Sequence, residues 1–322
     1  MSDRVDFGLA FRRVWNDNLR IRWKSWSRRK RDRFLVGVLA ALSAVARSVG
    51  LARTQRMAAR VARAAQIFFP GPRRISLQQL ESALPELSPS SREAMVREMF
   101  VGMSCSVAEI LVLEDLIRDI DQHVHAEGLE AMDEALAEGN GVIAITGHIG
   151  NWELLAAFFG AKGYPVSVIA TPVKGDGLNE ANIQLRRLAS VETIARDSQG
   201  SSRQILRTLK QGQILAILMD QNTRGQNVEV PFFGRLAPTP IGPAALALRT
   251  GAAVVGVFIH RMPDGRHVIR VSRPELPDRA RAEQIGREAW HTEVTARLTA
   301  LIEEEIREFP HEWVWWHQRW SP

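Results

Sequence analysis

A histidine and a glutamate near the middle of the chain have the types and the spacing for proton transfer. His148 lies two residues after the apolar segment 142–146, and Glu153 follows it by five residues. A carboxylate bonded to one imidazole nitrogen fixes the tautomer, which leaves the other nitrogen as the proton acceptor of a general base. We therefore predict that Glu153 orients His148. No strong nucleophile is placed beside them, so His148 is predicted to activate a hydroxyl of the substrate.

The elements around this pair predict a position where a sheet exposes reactive side chains. Residues 142–146 are Val-Ile-Ala-Ile-Thr, an apolar and largely β-branched run bounded by glycines, which is typical of a buried strand. A helix is predicted to begin at Trp152, with Asn151 as its N-cap. The loop between them then lies at the carboxyl end of a strand, where doubly wound sheets bind ligands. Taken alone, a histidine and a glutamate at this spacing more often indicate a structural histidine.

Strands and helices alternate along most of the chain. Further strands are predicted at 166–170, around 194, and at 214–219, 253–259 and 267–271. Helices are predicted at 76–84, 89–116, 129–138, 152–161, 180–188, 202–210 and 243–250. This alternation predicts an α/β fold with a mainly parallel sheet flanked by helices. We expect one such domain over residues 76–322.

The first 75 residues are predicted to form a basic helical arm that contacts a membrane. They carry 18 Lys and Arg against 4 Asp and Glu, a net charge of +14, whereas residues 76–322 carry 24 and 32, a net charge of −8. This asymmetry indicates a localised anionic partner. Residues 34–46 are uncharged, but they make only about 20 Å of helix against a hydrocarbon core of roughly 30 Å. Partial insertion or an in-plane helix is therefore favoured over a span.

Four arginines, Arg53, Arg56, Arg60 and Arg63, recur on one face of a predicted amphipathic helix, which suits an anionic phospholipid surface. Three tryptophans among the first 26 residues add side chains that prefer the headgroup level. A solvated face packed on its own domain is the alternative. Nucleic acid is not the predicted partner, because no helix-turn-helix, zinc-finger or RNP signature accompanies the basic residues. A cleaved signal is disfavoured, since more than 30 residues precede the apolar run.

Several blocks, in order, resemble the lysophospholipid acyltransferase superfamily, in the branch of the lipid A biosynthesis lauroyl/myristoyl acyltransferases. The segment 147–153, Gly-His-Ile-Gly-Asn-Trp-Glu, is similar to the His-x4-Asp/Glu block of that superfamily. The other blocks are Asp-Gln-Asn at 220–222, Val-Pro-Phe-Phe-Gly at 230–234, Thr239, Gly-Pro-Ala at 242–244 and Trp-Val-Trp-Trp-His-Gln-Arg-Trp at 313–320. The resemblance covers about residues 75–320.

The resemblance implies transfer of a fatty acyl group from acyl carrier protein or coenzyme A to a hydroxyl of a lipid acceptor. No metal and no resident cofactor would be needed, and the single cysteine excludes a zinc site built from several thiolates within the chain. His148 would take the hydroxyl proton, Glu153 would stabilise its charge, and amides near Gly150 are candidate oxyanion donors. Arg186 or Arg187 would meet an anionic substrate group, and the sequence does not choose between them.

The remaining predicted substrate-binding residues are Asn151, Asp220, Gln221, Phe232 and Phe233. Asp220 follows a strand and is interpreted as a carboxylate that organises the site, or as a loop cap. The two phenylalanines border an acyl groove or belong to the core.

The acceptor is predicted to be a saccharolipid of the lipid A type, at the cytoplasmic face of the bacterial inner membrane. A glycerophospholipid or aminolipid acceptor is the alternative within the same chemistry. Hydrolysis of an acyl thioester, with His148 activating water, and a non-catalytic membrane scaffold are alternatives of other classes. The absence of a Gly-x-Ser-x-Gly segment argues against a serine hydrolase.

Overall fold

A seven-stranded, mainly parallel sheet forms the centre of the computed structural model, which describes residues 30, 32, 34–65, 68, 70–173, 175–196, 198–223 and 225–320. The strands are β1 (Val124–Glu127), β2 (Val142–Thr146), β3 (Val166–Ala170), β4 (Val191–Ala195), β5 (Ile214–Leu218), β6 (Asn227–Phe232), β7 (Arg235–Pro240), β8 (Ala253–Arg261) and β9 (His267–Val271). The order in the sheet is β1-β9-β8-β2-β5-β3-β4, and only β8 and β9 pair antiparallel. β6 and β7 form a separate antiparallel hairpin.

Helices cover the sheet and precede it along the chain. Those before β2 are α1 (34–49), α2 (Leu51–Ala65), α3 (Pro70–Ala83), α4 (Pro89–Ile110), α5 (Leu113–Arg118), α6 (Ile120–His123) and α7 (Leu129–Ala137). Those after it are α8 (Trp152–Ala161), α9 (Asp176–Leu188), α10 (Ser201–Lys210), α11 (Gly242–Thr250), α12 (Arg279–Ile285) and α13 (Arg287–Glu308). The predicted α/β class is confirmed.

Strand β2 shows why the central strands are continuous apolar runs. All five of its residues are buried, and successive side chains point to opposite faces of the sheet. Ile143 and Ile145 belong to the core beneath α13, whereas Val142 and Ala144 belong to the core beneath α8. Because helices cover both faces, the first four residues of the strand are apolar, and Thr146 at its end is the first polar one. The polar residues follow where the strand ends.

The N-terminal helices lie against the body with much of their apolar surface exposed. In α1, Ala46 is buried and the Ser43 hydroxyl donates to the Leu111 carbonyl at 2.5 Å, but Phe34 and Val45 remain 69% and 52% exposed. No helix among the described residues is long and apolar enough to cross a bilayer. Trp15, Trp23 and Trp26, which are predicted to lie at the headgroup level, are outside the described residues. Association of these helices with a membrane stays a prediction.

Several predicted element bounds change, since α3 begins at Pro70 and α9 begins at Asp176, each earlier than expected. The helix expected over 89–116 divides, because α4 ends at Ile110 and α5 begins at Leu113. Its beginning is as predicted, with the Ser88 hydroxyl accepting from the Ser91 amide. Residue 75, the expected domain boundary, lies in α3, and α2 packs against α4; the division into an arm and a domain stays a prediction.

Candidate active site

A short loop between β2 and α8 holds His148. The Gly150 amide donates to the Glu312 carbonyl at 3.1 Å, and the Val314 amide donates to the His148 carbonyl at 3.2 Å. Gly150 has φ +56, and a Cβ built on it would overlap the carbonyl oxygen of Ile259. Only glycine fits a left-handed backbone pressed against a strand in this way. The loop is therefore clamped on one side by β8 and on the other by the segment after α13.

The side chain of His148 is bonded to a buried aspartate. Thr146 and Leu218 are paired at the carboxyl ends of β2 and β5, so residues two positions further along each strand come side by side. His148 Nδ1 lies 2.8 Å from Asp220 Oδ1, and the His148 main-chain amide donates to Asp220 Oδ2 at 2.8 Å. The Trp313 indole N–H donates to the same Oδ2 at 2.8 Å. Three donors thus fix the carboxylate.

These contacts keep Asp220 ionised although its side chain is fully buried. Burial alone would raise its pKa, but the charge of His148 and the hydrogen bonds from His148 and Trp313 lower it to about 2. A carboxylate that accepts at Nδ1 selects the tautomer with a proton on Nδ1 and an acceptor lone pair on Nε2. The His148 side chain is 22% exposed, so the ring is reachable from outside.

The structure corrects the predicted partner of His148. Glu153 does not orient the imidazole; its two oxygens accept from Arg186, at 2.9 Å from Nε and 2.6 Å from Nη2. Glu153 is in the first turn of α8 and Arg186 is in the last turn of α9, so this planar pair joins the two helices beside the loop. Both side chains are largely buried, at 14% and 12% exposure.

A second histidine lies against the first. The rings of His148 and His317 have centroids 5.3 Å apart, and the Gln221 side-chain nitrogen lies 2.8 Å from His317 Nε2 and 3.2 Å from His148 Nε2. Burial and the charge of His148 lower the pKa of His317 to about 4, so this ring is neutral near pH 7. Trp152 packs edge-on against His148, with centroids 5.0 Å apart. One side of the site is therefore polar and uncharged, and the other is aromatic.

The other predicted site residues differ in where the structure places them. Asn151 is the N-cap of α8, with its side-chain oxygen accepting from the Leu154 amide at 3.1 Å. Arg187 is exposed. Phe232 and Phe233 are 0% and 5% exposed and pack on one another and on the C-terminal tryptophans, so they are core residues and do not border a groove.

A narrow apolar cavity of about 40 Å³ begins next to the site. Thr146, Trp152 and Leu218 line it near the carboxyl ends of the strands, and Ile214 and Val166 line it at the opposite ends. The cavity therefore runs along the sheet beneath α8. Within the described part of the chain, no three or more His, Cys, Asp or Glu side chains are grouped to hold a metal ion.

Two residues of this geometry, Trp313 and His317, were not among the predicted site residues. They lie in the aromatic C-terminal block, which composition alone favours as packing at a domain edge. What could have indicated these two residues from the sequence is that both lie in a block that resembles the acyltransferases. The structure brings that block to Asp220 and His148.

Comparison with known families gives one match over most of the chain. The family of bacterial lipid A biosynthesis acyltransferases matches residues 22–321. The chain belongs to this family. Every residue of the site just described, from His148 to His317, lies within the region shared with the lipid A acyltransferase family, which confirms the resemblance.

The relatives of this lipid A acyltransferase family member fall into two groups. Phosphatidylinositol mannoside acyltransferase of Mycobacterium tuberculosis (strain H37Rv) is 28% identical over 144 residues, which is 44% of each chain. The Mycolicibacterium smegmatis protein of the same name is 25% identical over 190 residues, 58% of this chain and 59% of the relative. Lipid A biosynthesis palmitoleoyltransferase of Escherichia coli K12 is 23% identical over 268 residues, 81% and 83%. The chain thus spans less than half the length of the first of these relatives.

Proposed function

We propose that this protein transfers a fatty acyl group from an acyl thioester to a hydroxyl of a lipid A-type saccharolipid. The observation that carries the proposal is the hydrogen bond from the His148 ring to the buried, ionised Asp220. This arrangement makes His148 Nε2 the acceptor nitrogen of a general base, where a substrate hydroxyl would replace the Gln221 nitrogen that lies 3.2 Å away. Family membership supplies the class of reaction in which such a base is used.

The proposed reaction needs no nucleophile from the protein. His148 Nε2 takes the proton of the acceptor hydroxyl while that oxygen attacks the carbonyl carbon of the thioester. Asp220 stabilises the imidazolium that forms. The carbon–sulfur bond then breaks, the acyl group remains on the acceptor oxygen, and the leaving thiolate takes the proton back from His148. This pathway revises the role first assigned to Glu153.

The Glu153–Arg186 pair has a different proposed role. Glu153 occupies Nε and Nη2 of the guanidinium, which leaves Nη1 available. A guanidinium held rigidly by a carboxylate is suited to bind phosphate. We assign this free edge to a phosphate of the donor or of the acceptor. Gln221 and His317 then form the polar wall that contacts the reacting groups.

The apolar cavity under Trp152 is the proposed place for the acyl chain. Its lining extends from Leu218 to Ile214, the two ends of β5, a length of about 13 Å at the rise of a strand. At about 40 Å³ the slot is narrow, so α8 must move away from the sheet to admit a chain. The thioester carbonyl would then lie beside His148, at the open end.

The partners follow from the charge and exposure of the N-terminal helices. Exposed apolar side chains of α1, among them Phe34, Leu42 and Val45, are proposed to enter the interface of an anionic membrane. The exposed arginines Arg53 and Arg56 of α2 would contact its phosphates. The proposed location is the cytoplasmic face of the bacterial inner membrane. Acyl carrier protein and coenzyme A are both proposed carriers of the thioester, and nucleic acid is not a proposed partner.

A second acceptor has support of its own. The relatives named phosphatidylinositol mannoside acyltransferase are 28% and 25% identical to this chain, above the 23% of the palmitoleoyltransferase, although over shorter regions. A sugar hydroxyl of an anionic phosphoglycolipid is therefore the alternative to a lipid A precursor. It uses the same base and the same arginine.

The test combines purified protein in anionic vesicles with acyl-carrier-protein and CoA thioesters. The acceptors are a lipid A precursor, a phosphatidylinositol mannoside and a glycerophospholipid, and products are identified by mass spectrometry. Acylated saccharolipid supports the proposal, acylated phosphatidylinositol mannoside supports the alternative, and free fatty acid alone indicates a hydrolase. If no product forms with any acceptor, an enzymatic role is contradicted.

Variants link the product to the site. We expect His148→Ala to lower turnover by at least about 10²-fold. The matched control is His125→Ala, because His125 is exposed on the edge strand β1 and has no place in the site. Equal turnover of the two variants would contradict the role of His148.

A further inference from the structure

A buried carboxylate outside the proton-transfer pair joins the catalytic loop to the N-terminal helices. Glu109, in the last turn of α4, is 1% exposed. Its Oε2 accepts from Asn151 Nδ2 at 2.8 Å, and its Oε1 accepts from Gln55 Nε2 at 2.7 Å. Arg261, at the end of β8, binds both oxygens of Glu109. One carboxylate thus contacts three elements that are distant in sequence.

At one end of this link, Asn151 connects Glu109 to the loop that carries His148. The Asn151 side chain uses its oxygen to cap α8 and its nitrogen to reach Glu109. The residue is three positions after His148 and two positions before Glu153. A shift of Asn151 would therefore move both the base and the anchor of Arg186. Displacement of a catalytic group by about 1 Å can cost about 10²-fold in rate.

At the other end, Gln55 belongs to the helix proposed to lie on the membrane. Gln55 is half-buried and faces α4, whereas Arg53 and Arg56 on either side of it are exposed. The same helix therefore presents cations to the outside and one amide to Glu109. Any displacement of α2 against α4 acts directly on the carboxylate that holds Asn151.

The Glu109 carboxylate at the centre of this link is ionised near neutral pH. Burial would raise the pKa of Glu109, but the hydrogen bonds from Arg261 and Asn151 and the charge of Arg261 hold it below the usual value. Hydrogen bonds to an ionised acceptor are about twice as strong as neutral ones. Neither Gln55 nor Asn151 can therefore release the carboxylate at low cost.

We propose that Glu109 is a positioning residue, which holds the His148 loop through Asn151 and fastens it through Gln55 to the membrane-facing helix α2. The inference concerns the same site and rests on the proposed function. It adds that the geometry of the base depends on how α2 is seated.

Two variants cut the link without removing Glu109 or its ion pair with Arg261. Gln55→Leu removes the donor on α2 and keeps the size of the side chain. Asn151→Ser keeps an N-cap oxygen for α8 but has no donor that reaches Glu109. The matched control is Thr54→Val, because the Thr54 hydroxyl bonds only to the Ala46 and Gly50 carbonyls at the junction of α1 and α2.

Turnover, acceptor KM and vesicle binding are measured on the same proteins. We expect Gln55→Leu to lower kcat by about tenfold with KM unchanged, since the base is displaced and the acceptor site is intact. Binding to anionic vesicles should equal that of wild type, because the outward arginines remain. The double variant should be no slower than Asn151→Ser alone, since both changes break one connection. Thr54→Val should match wild type in all three.

Hydrogen exchange of the amides in 148–154 provides a readout that needs no turnover. Both link variants should exchange there about tenfold faster than wild type, since one hydrogen bond to a charged group is lost. Unchanged exchange and kcat in Gln55→Leu, or losses that multiply in the double variant, would overturn the proposal. If wild type transfers no acyl group, the proposed function fails, and the exchange rates still decide whether Glu109 holds the loop.

Discussion

The substitution Asp220→Asn tests which carboxylate serves His148. An asparagine fits the same space, but its amide must face at least one of the three donors that now surround Asp220, namely the His148 ring, the His148 amide and the Trp313 indole. The variant therefore favours the His148 tautomer with its proton on Nε2. That tautomer has no lone pair for the acceptor hydroxyl.

The size of the effect can be bounded from the structure. The pKa of Asp220 falls from 3.8 to about 2, and each unit corresponds to about 1.4 kcal/mol. Since burial opposes this shift, the donors and the charge of His148 contribute more than about 2 kcal/mol to the ionised form. The same ion pair forms when His148 takes the acceptor proton, so its loss predicts a decrease in kcat on the order of 30-fold. The wrong tautomer increases the loss, toward the roughly 10⁴-fold seen when a histidine base loses its carboxylate partner.

The assay is single-turnover acyl transfer from a radiolabelled thioester, with circular dichroism to check folding. Glu153→Gln serves as the comparison, because its charge pairs with Arg186 and not with His148. We expect its main effect on the KM of the phosphate-bearing substrate. If Asp220→Asn keeps kcat within threefold of wild type while Glu153→Gln abolishes it, the assignment from the structure is wrong and the assignment from sequence spacing is right.

Three further outcomes are expected. Gly150→Ala should unfold at lower temperature than wild type by calorimetry, because a Cβ would overlap the Ile259 carbonyl at a left-handed backbone position. Arg53→Glu/Arg56→Glu should weaken sedimentation with anionic vesicles more at low salt than at high salt, and equal weakening would contradict a surface contact. Burial lowers the pKa of His260, but carboxylates at both ring nitrogens raise it above 6.5 overall. Its stabilisation is therefore complete below pH 6.5 and lost as pH rises through the raised pKa, which a His260→Gln variant should not show in thermal melts.

The parts of the fold that could be predicted are those with a local physical cause. β2, β3 and β9 have the predicted bounds, because short runs rich in β-branched residues between glycines or prolines favour strands of that length. The β6–β7 hairpin was not predicted, since Pro231, Pro238 and Pro240 disfavour strands in general. A two-stranded hairpin consists only of edges, which tolerate the missing amide protons.

The site residues also differ in whether the sequence could predict them. His148 was found because a loop after a strand and a family-like block both point to it. Its carboxylate was misassigned because sequence separation favoured Glu153, five residues away, whereas strand pairing brings Asp220 next to His148 from 72 residues away. That step requires knowing that β2 and β5 are neighbours. Glu109 had no signal at all, since one glutamate in a long helix is ordinarily a solvated residue.

The segment after α13 that holds the His148 loop also determines when, during synthesis of the chain, the site can form. His148 and Asp220 are synthesised early, but Trp313, which orients the carboxylate, and the Val314 amide, which holds the His148 carbonyl, come more than 90 residues after Asp220. At roughly 5–20 residues per second, a ribosome needs several seconds to cover that distance. A nascent chain can therefore pair β2 with β5 well before its base is oriented. In such a chain His148 lacks its oriented partner, so the site described here is complete only after Trp313 and Val314 have been made.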